Sequence, residues 1–486
     1  MTGAATGTVE AGAAPSSGGG PPEPAGVGRT RRLATGIVSS LAGRAVGLVA
    51  PLVVTPLTFG YLGAERYGLW MAVTSLTGMA LFADLGLGNG LLTRLSRLHG
   101  TGDRPAAARE VSSAYAVLGA LTAGLLVLLA VAGVTVPWAD LFAVTDPRVA
   151  AGAPAVALVC LGAFLVNVPL ALVQRIQYAH QEVTRSNLWQ AAGSLSSVVL
   201  VGVAVAARVD PVLVVAVAVG AVPATNLVNT VAYFAGRGRD LRPRRRLVDR
   251  RVARNLLRLG AAFCALSVLT SAALNVDAFL VGRVLGLTEA AVYAVVLRLF
   301  ALLGLFVTVV NLPLWPANGE AIARGDVRWV RRSTRRMVLV SVGAVTLPGV
   351  ALVVAGNPLL DWWLRDPLFP TVPVALLAAL AGWSVLVAAA APLFMAQNAV
   401  SLLGPQFFGW AGFLAVSVPA KVLLAEGYGL TGVAVATTAG YALTVLPAAV
   451  VGYRRTLSAV ATGTTAVATG TREAVVGGER RPDDAD

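Results

Sequence analysis

Val111–Trp138 reads VSSAYAVLGALTAGLLVLLAVAGVTVPW, with no charged residue anywhere along it. A helix rises about 1.5 Å per residue, so about 20 apolar residues cross a hydrocarbon core about 30 Å thick. Four further runs, Val149–Gln174, Pro211–Gly236, Met337–Leu360 and Gly427–Tyr453, meet the same condition. Inside lipid the backbone finds no water, so each run has to pair its own N–H and C=O groups as a helix. Extending the reading to both sides predicts an all-α polytopic membrane protein of about 12 spans. They fall at 34–59, 68–91, 111–137, 149–174, 187–207, 211–235, 258–282, 290–314, 337–359, 371–396, 406–425 and 428–453. Composition agrees: hydrophobic residues make up 56% and charged ones 13%, against about 25% charged in soluble domains.

Basic residues fall in alternate connections. One side takes 27, including ten arginines between Arg237 and Arg258 and six between Arg324 and Arg336. The opposite side takes five: Arg66, Arg148, Arg208, Arg283 and Arg365. Positive residues stay cytoplasmic, which predicts an inner-membrane protein with both termini in the cytoplasm. The net charge of +14 is then topological, with anionic membrane lipids as its partners and no nucleic acid. Residues 1–33 read as a disordered cytoplasmic arm, 237–257 as a basic linker and 454–486 as a disordered tail. Arg31–Arg32 precedes a segment too long for a signal core, so the first span is read as uncleaved.

The chain repeats its punctuation. Leu62–Gly63 with Tyr67 follows span one, and Leu285–Gly286 with Tyr293 follows span seven. Gly102–Asp103 matches Gly325–Asp326, and Trp138-Ala-Asp140 with Asp146–Pro147 matches Asp361-Trp-Trp363 with Asp366–Pro367. This divides the chain into two six-helix bundles, 34–236 and 258–453. An even number of spans in each makes them parallel repeats, with a site expected at their interface.

Three basic residues remain inside spans: Arg44, Arg298 and Lys421. A charge at the bilayer centre costs about 2.5–3.5 kcal/mol on insertion scales, so it faces a cavity or a partner. Arg44 lies about 18 Å beyond Arg32 along a helix, near the midplane. Arg298 lies about two turns from the outer end of span eight. Lys421 lies about one turn from the outer end of span eleven, within reach of snorkelling. Asp277 with Asn275 sits toward the outer end of span seven. Asp84, Glu320 and Asp326 are candidate gating or structural acids, with neutralisation of the arginines as the simpler reading of Asp84 and Glu320.

Tyr61-Leu-Gly-Ala-Glu-Arg-Tyr-Gly68, Asp84-Leu-Gly-Leu-Gly88, Asp277 with Gly282-Arg-Val-Leu-Gly286, and Trp315-Pro-Ala-Asn-Gly-Glu320 with Arg324-Gly-Asp326 resemble the motifs of bacterial polysaccharide and O-antigen-type flippases. These belong to the multidrug/oligosaccharidyl-lipid/polysaccharide exporter superfamily. The resemblance covers about 34–453. It implies two bundles opening alternately, a saccharide on a polyprenyl pyrophosphate as cargo, and association with glycan-assembly machinery. On that reading Arg44, Arg298, Lys421, Asn275 and Asp277 contact the substrate, Arg44 and Arg298 through its phosphates, since a guanidinium offers a planar fork of donors.

Two other classes stay open. A cation-coupled drug exporter on the same fold often keeps an acid in its first helix, where this chain has Arg44. A membrane polymerase or ligase needs a large outer loop, and the longest outer connections here, near Ala139–Arg148 and Asp361–Pro370, are about ten residues. No cofactor is implied. His99 and His180 are isolated, Cys160 and Cys264 lie in separate spans, and no P-loop is present.

Overall fold

The structure, a computed structural model, describes residues 49–80, 86–311, 325–400 and 402–462, and in addition 43, 46, 47, 318, 321 and 322. Every regular element among the described residues is helical. The helices are α1 (Val49–Leu62), α2 (Ala64–Met79), α3 (Leu87–Thr101), α4 (Arg104–Thr135), α5 (Trp138–Leu141), α6 (Pro147–Leu170), α7 (Leu172–Ala179), α8 (Val183–Ala206) and α9 (Pro211–Ala235). There follow α10 (Arg250–Val284), α11 (Leu287–Ala301), α12 (Leu303–Asn311), α13 (Val327–Leu364), α14 (Val374–Ala399), α15 (Gly404–Gly440) and α16 (Leu446–Ala461). Nine helical stretches among them are long and apolar enough to span a bilayer. Leu128, Val131, Leu347 and Val354 are more than half exposed, as lipid-facing residues are in a chain whose solvent is hydrocarbon.

Span boundaries differ from the sequence reading where polar chemistry interrupts. The expected continuous span 68–91 is divided between α2, which ends at Met79, and α3, whose N-cap Gly86 is left-handed at φ 70°. The helix that carries span seven, expected from 258, begins earlier at Arg250, where Asp249 caps it by accepting from Arg251 N–H at 2.7 Å, while its apolar membrane-length stretch is Ser267–Val284. The basic linker is built into the fold rather than loose. Arg244 and Asp249 donate their amides to Ser112 and Ser113 on α4 at 3.1 and 3.0 Å, and Arg104 pairs with Asp240. The connection expected between spans 371–396 and 406–425 is observed between Ala399 and Gly404, where α14 ends and α15 begins.

The repeated punctuation has repeated geometry. Gly63 and Gly286 cap α2 and α11 at φ 75°, ψ 164° and φ 104°, ψ 163°, a region that glycine enters without steric cost. The tyrosines that follow, Tyr67 and Tyr293, are both fully buried. Asp103 and Asp326 each accept from the amide three residues on, at 3.0 and 2.9 Å, and so begin α4 and α13. Asp is favoured there because its carboxylate satisfies an orphan N–H and meets the positive end of the helix.

The two halves of the chain meet at one end. α2 packs along both α10 and α11, and Phe59 sets its ring edge-on to Phe369 with centroids 5.5 Å apart. Trp363 donates its indole N–H to the Leu52 carbonyl at 2.8 Å. In an unbroken helix that carbonyl belongs to residue 56, which is Pro56 and has no N–H. The proline thus frees an acceptor that the opposite half uses. Arg283 donates to the Asp140 carbonyl at 3.1 Å. A side chain at Gly68 would overlap the Leu287 carbonyl, so this glycine sets how closely α2 can approach α11.

Gly68→Ala is therefore expected to destabilise the protein by about 1–3 kcal/mol, the usual cost of overpacking. Thermal challenge of detergent-purified protein, read as the surviving monodisperse fraction, measures it; a Gly68→Ala protein as stable as the parent would contradict this packing.

Candidate functional site

Helices α1, α8 and α9 of the first half enclose, with Arg298 of α11, a cavity of about 260 Å³. Arg298 reaches across the junction of the halves. It donates to the Pro51 carbonyl at 3.4 Å, bonds Thr55 Oγ1, lies 3.2 Å from Met71 Sδ and stands 5.6 Å from the centre of the Tyr67 ring. No carboxylate pairs with it among the described residues. A guanidinium held by neutral partners keeps its charge for an anion.

Ser194 and Val222 belong both to this cavity and to a neighbouring one of about 220 Å³. The second is lined by amides and an indole, among them Asn167, Gln174, Trp189, Gln190 and Asn226. Gln174 donates to Asn226 at 2.9 Å, and Asn226 donates to Asn167 at 2.8 Å. Below them Gln177 and Asn229 exchange hydrogen bonds at 2.7 and 3.3 Å. The relay is neutral, so it offers donors and acceptors without fixing a charge.

This amide relay is the part the sequence reading misses. Its signal was present: Asn167 and Gln174 stand seven residues apart, and Asn226 and Asn229 three apart, spacings that share one helical face. These residues are neutral, so they do not stand out in a span the way a charge does.

Lys421 lies elsewhere than its position along span eleven suggests. Its side chain is 0% exposed rather than turned outward, because Asp277 holds it. The other oxygen of Asp277 accepts from Tyr293 at 3.0 Å and from Thr437 at 3.4 Å. Lys421 and Thr437 come from the two arms of α15, which folds back at Gly429 (φ 57°, ψ −140°). The ammonium also stands 5.2 Å from the Phe413 ring. Asp277 and Lys421 therefore sit inside the second half, apart from the cavity that Arg298 lines. Asn275 spends its amide on the Ser271 carbonyl at 2.9 Å, and Asp326 spends its carboxylate on the α13 cap. Arg44, Asp84 and Glu320 lie outside the described residues. No cluster of metal-ligating side chains is found among the described residues.

Helices long and apolar enough to span a bilayer, and a cation with no carboxylate partner among the described residues reaching from the second half onto a cavity of the first, describe a polytopic membrane protein with a polar cavity inside its helices. The family model described as polysaccharide biosynthesis protein matches residues 33–317, and this chain belongs to that family. No curated protein matches it. Its fold is that of solved transporters. Lipid II flippase MurJ in an inward closed conformation has a TM-score of 0.69 at 11% identity, over 88% of this chain and 90% of that one. An inward-facing multidrug resistance MATE family transporter of the MOP superfamily gives 0.65 at 18%, over 85% and 96%. The eukaryotic MATE transporter AtDTX14 gives 0.62 at 16%, over 90% and 99%.

Burying a lysine and an aspartate together makes each depend on the other. Lys421→Met is expected to lower stability by about 3–5 kcal/mol, and adding Asp277→Asn to recover most of that loss. Thermal unfolding of the single and double variants in detergent provides the check.

Proposed function

We propose that this protein moves a saccharide on a polyprenyl pyrophosphate from the inner to the outer leaflet by alternating access. Arg298 is the observation that carries the reading. It is a cation without a carboxylate partner among the described residues, on a cavity between the chain halves, where an anion crossing a low-dielectric path needs a fixed charge. The amide relay beside it suits hydroxyl-rich cargo, and the Trp189 indole suits the apolar face of a sugar ring. Family membership and the resemblance in fold to a lipid II flippase support the same substrate class. Arg44, in span one, stands in this reading as a second phosphate partner.

The reading uses twelve spans in two six-helix halves. α1 supplies the first span, α2 with α3 the second, and the stretch Gly404–Ala461 supplies two on either side of Gly429. The sparsely basic end, with Arg66, Arg148, Arg208, Arg283 and Arg365, faces outward and is the end at which the halves meet in this structure.

Arg298→Ala is expected to leave folding intact and to strand polyprenyl-linked saccharides on the cytoplasmic leaflet, while Arg298→Lys keeps part of the transport because charge survives and the planar fork does not. Lipid extracts and surface glycans from a deletion strain complemented with each variant measure this. Unchanged glycans with heightened drug sensitivity in the deletion strain would favour a drug exporter instead.

For orientation, single cysteines at Asp140 and Arg245 in a variant lacking Cys160 and Cys264 are expected to react and to be protected, respectively, when intact cells meet an impermeant thiol reagent. The reverse pattern would invert the topology.

A further inference from the structure

A further cavity, of about 290 Å³, lies at the sparsely basic end of the molecule, where α2, α6 and α9 all begin. Its rim carries Arg66 of α2, Arg148 of α6 and Asp210, the cap of α9. Its inner wall is apolar, with Leu69, Val156 and Val215 all buried there. At about 1.5 Å per residue, Val156 lies about 12 Å deeper than Arg148, and Val215 about 7.5 Å deeper than Asp210. Every lining residue belongs to the first half. The cavity is therefore apart from the one that Arg298 enters.

Protein leaves both rim guanidinium groups unused. Among the described residues Arg66 and Arg148 make no ion pair and no side-chain hydrogen bond. The acids around them are spent on backbone. Glu65 accepts from the Thr145 and Asp146 amides at 2.6 and 2.9 Å, Asp146 from Arg148 N–H at 2.7 Å, and Asp210 from Val212 N–H at 2.8 Å. Basic residues are disfavoured outside the cytoplasmic face. This end nevertheless keeps five arginines, and two of them converge on one cavity. The flank of the cavity borders hydrocarbon: Ala151 in its wall is exposed, as are Ala155 one turn deeper and Leu213 beside Val212.

From this geometry we propose that the cavity binds an anionic phospholipid of the leaflet at this end. Its phosphate lies between Arg66 and Arg148, and the first methylenes of an acyl chain lie against Leu69, Val156 and Val215. A guanidinium presents a planar fork of donors to phosphate oxygens, and basic pockets between spanning helices suit lipid headgroups. A water-soluble anion gains nothing from the apolar wall. A zwitterionic lipid brings its own cation against the same two arginines. The anionic phospholipid satisfies both parts of the cavity at once. Seated there, it touches α2, α6 and α9 together, at the end where α2 also packs along α10 and α11. Which leaflet this is follows from the orientation proposed above; the site depends neither on that orientation nor on the cargo.

The test uses the full chain purified in detergent, with native mass spectrometry counting the lipids bound to each protein. It is titrated with dioleoyl phosphatidylglycerol, with the matching phosphatidylcholine, and with ammonium phosphate as the free anion. The first phosphatidylglycerol is expected to bind several-fold tighter than the first phosphatidylcholine. In Arg66→Gln with Arg148→Gln that preference is expected to fall to the level of the lipids bound later. Arg245→Gln with Arg246→Gln, on the basic linker, is expected to weaken the later lipids and leave the first. Val156→Phe fills the apolar wall without altering charge and is expected to weaken the first several-fold. Should the paired glutamine variant fail to fold, Arg148→Glu at its exposed position is expected to remove the preference alone. A parent that does not distinguish the two lipids overturns the proposal. So does a preference that survives without Arg66 and Arg148, which would put the lipid on the cytoplasmic arginines. Displacement of the first lipid by phosphate, with Val156→Phe binding as the parent does, would make this a free-anion site and also overturn it. Saccharide lipids untouched in the deletion strain would refute the cargo and leave this result standing.

Discussion

A backbone amide in hydrocarbon has nothing to bond except its own chain, and that constraint shapes everything else in the molecule. It forces the apolar runs into helices. It also makes each break in a helix informative, since the groups released there must be satisfied by protein. At Pro56 the released carbonyl is taken by Trp363, and along α10 Ser75 bonds the Asn275 carbonyl and the Phe279 amide. Both partners come from the opposite half of the chain. Backbone groups that would be costly to leave facing lipid therefore become the points at which the halves hold each other.

The same logic explains why the punctuation of the chain recurs while the filling of its spans does not. What recurs is not the apolar filling of the spans but the residues that begin and end them. Gly63 and Gly286 take the same unusual conformation, and Asp103 and Asp326 make the same cap. Each is a local demand that few residue types meet, whereas the interior of a span accepts most combinations of Ala, Leu and Val.

Much of the fold was legible because the bilayer reduces the reading to length, charge and punctuation. The connection between the spans on either side of residues 399–404 and the recurring Gly–Asp punctuation could be read from the sequence for that reason. What escaped depended on packing between distant segments. Lys421 looked like a residue near a span end, and nothing local showed that Asp277, 144 positions away, neutralises it. The amide relay of Asn167, Gln174 and Asn226 escaped for a different reason. In a membrane, charge is the loud signal, and neutral polar residues on one helical face are quiet. Arg298 was legible as a cation in a span but not as a residue held by Thr55 and Pro51 of another helix.

Pro56 illustrates how an absent hydrogen can set a rate. The bond it permits, from the Trp363 indole to the Leu52 carbonyl, has a net worth of about 0.5–1.5 kcal/mol, or a factor of about two to ten in the lifetime of the closed end. A bond of that strength joins the two segments without locking them together. An amide returned to position 56 would compete for the carbonyl and shorten each closure. The strength of this boundary is thus adjustable one residue at a time, on the same helix whose Pro51 and Val54 line the cavity that Arg298 enters.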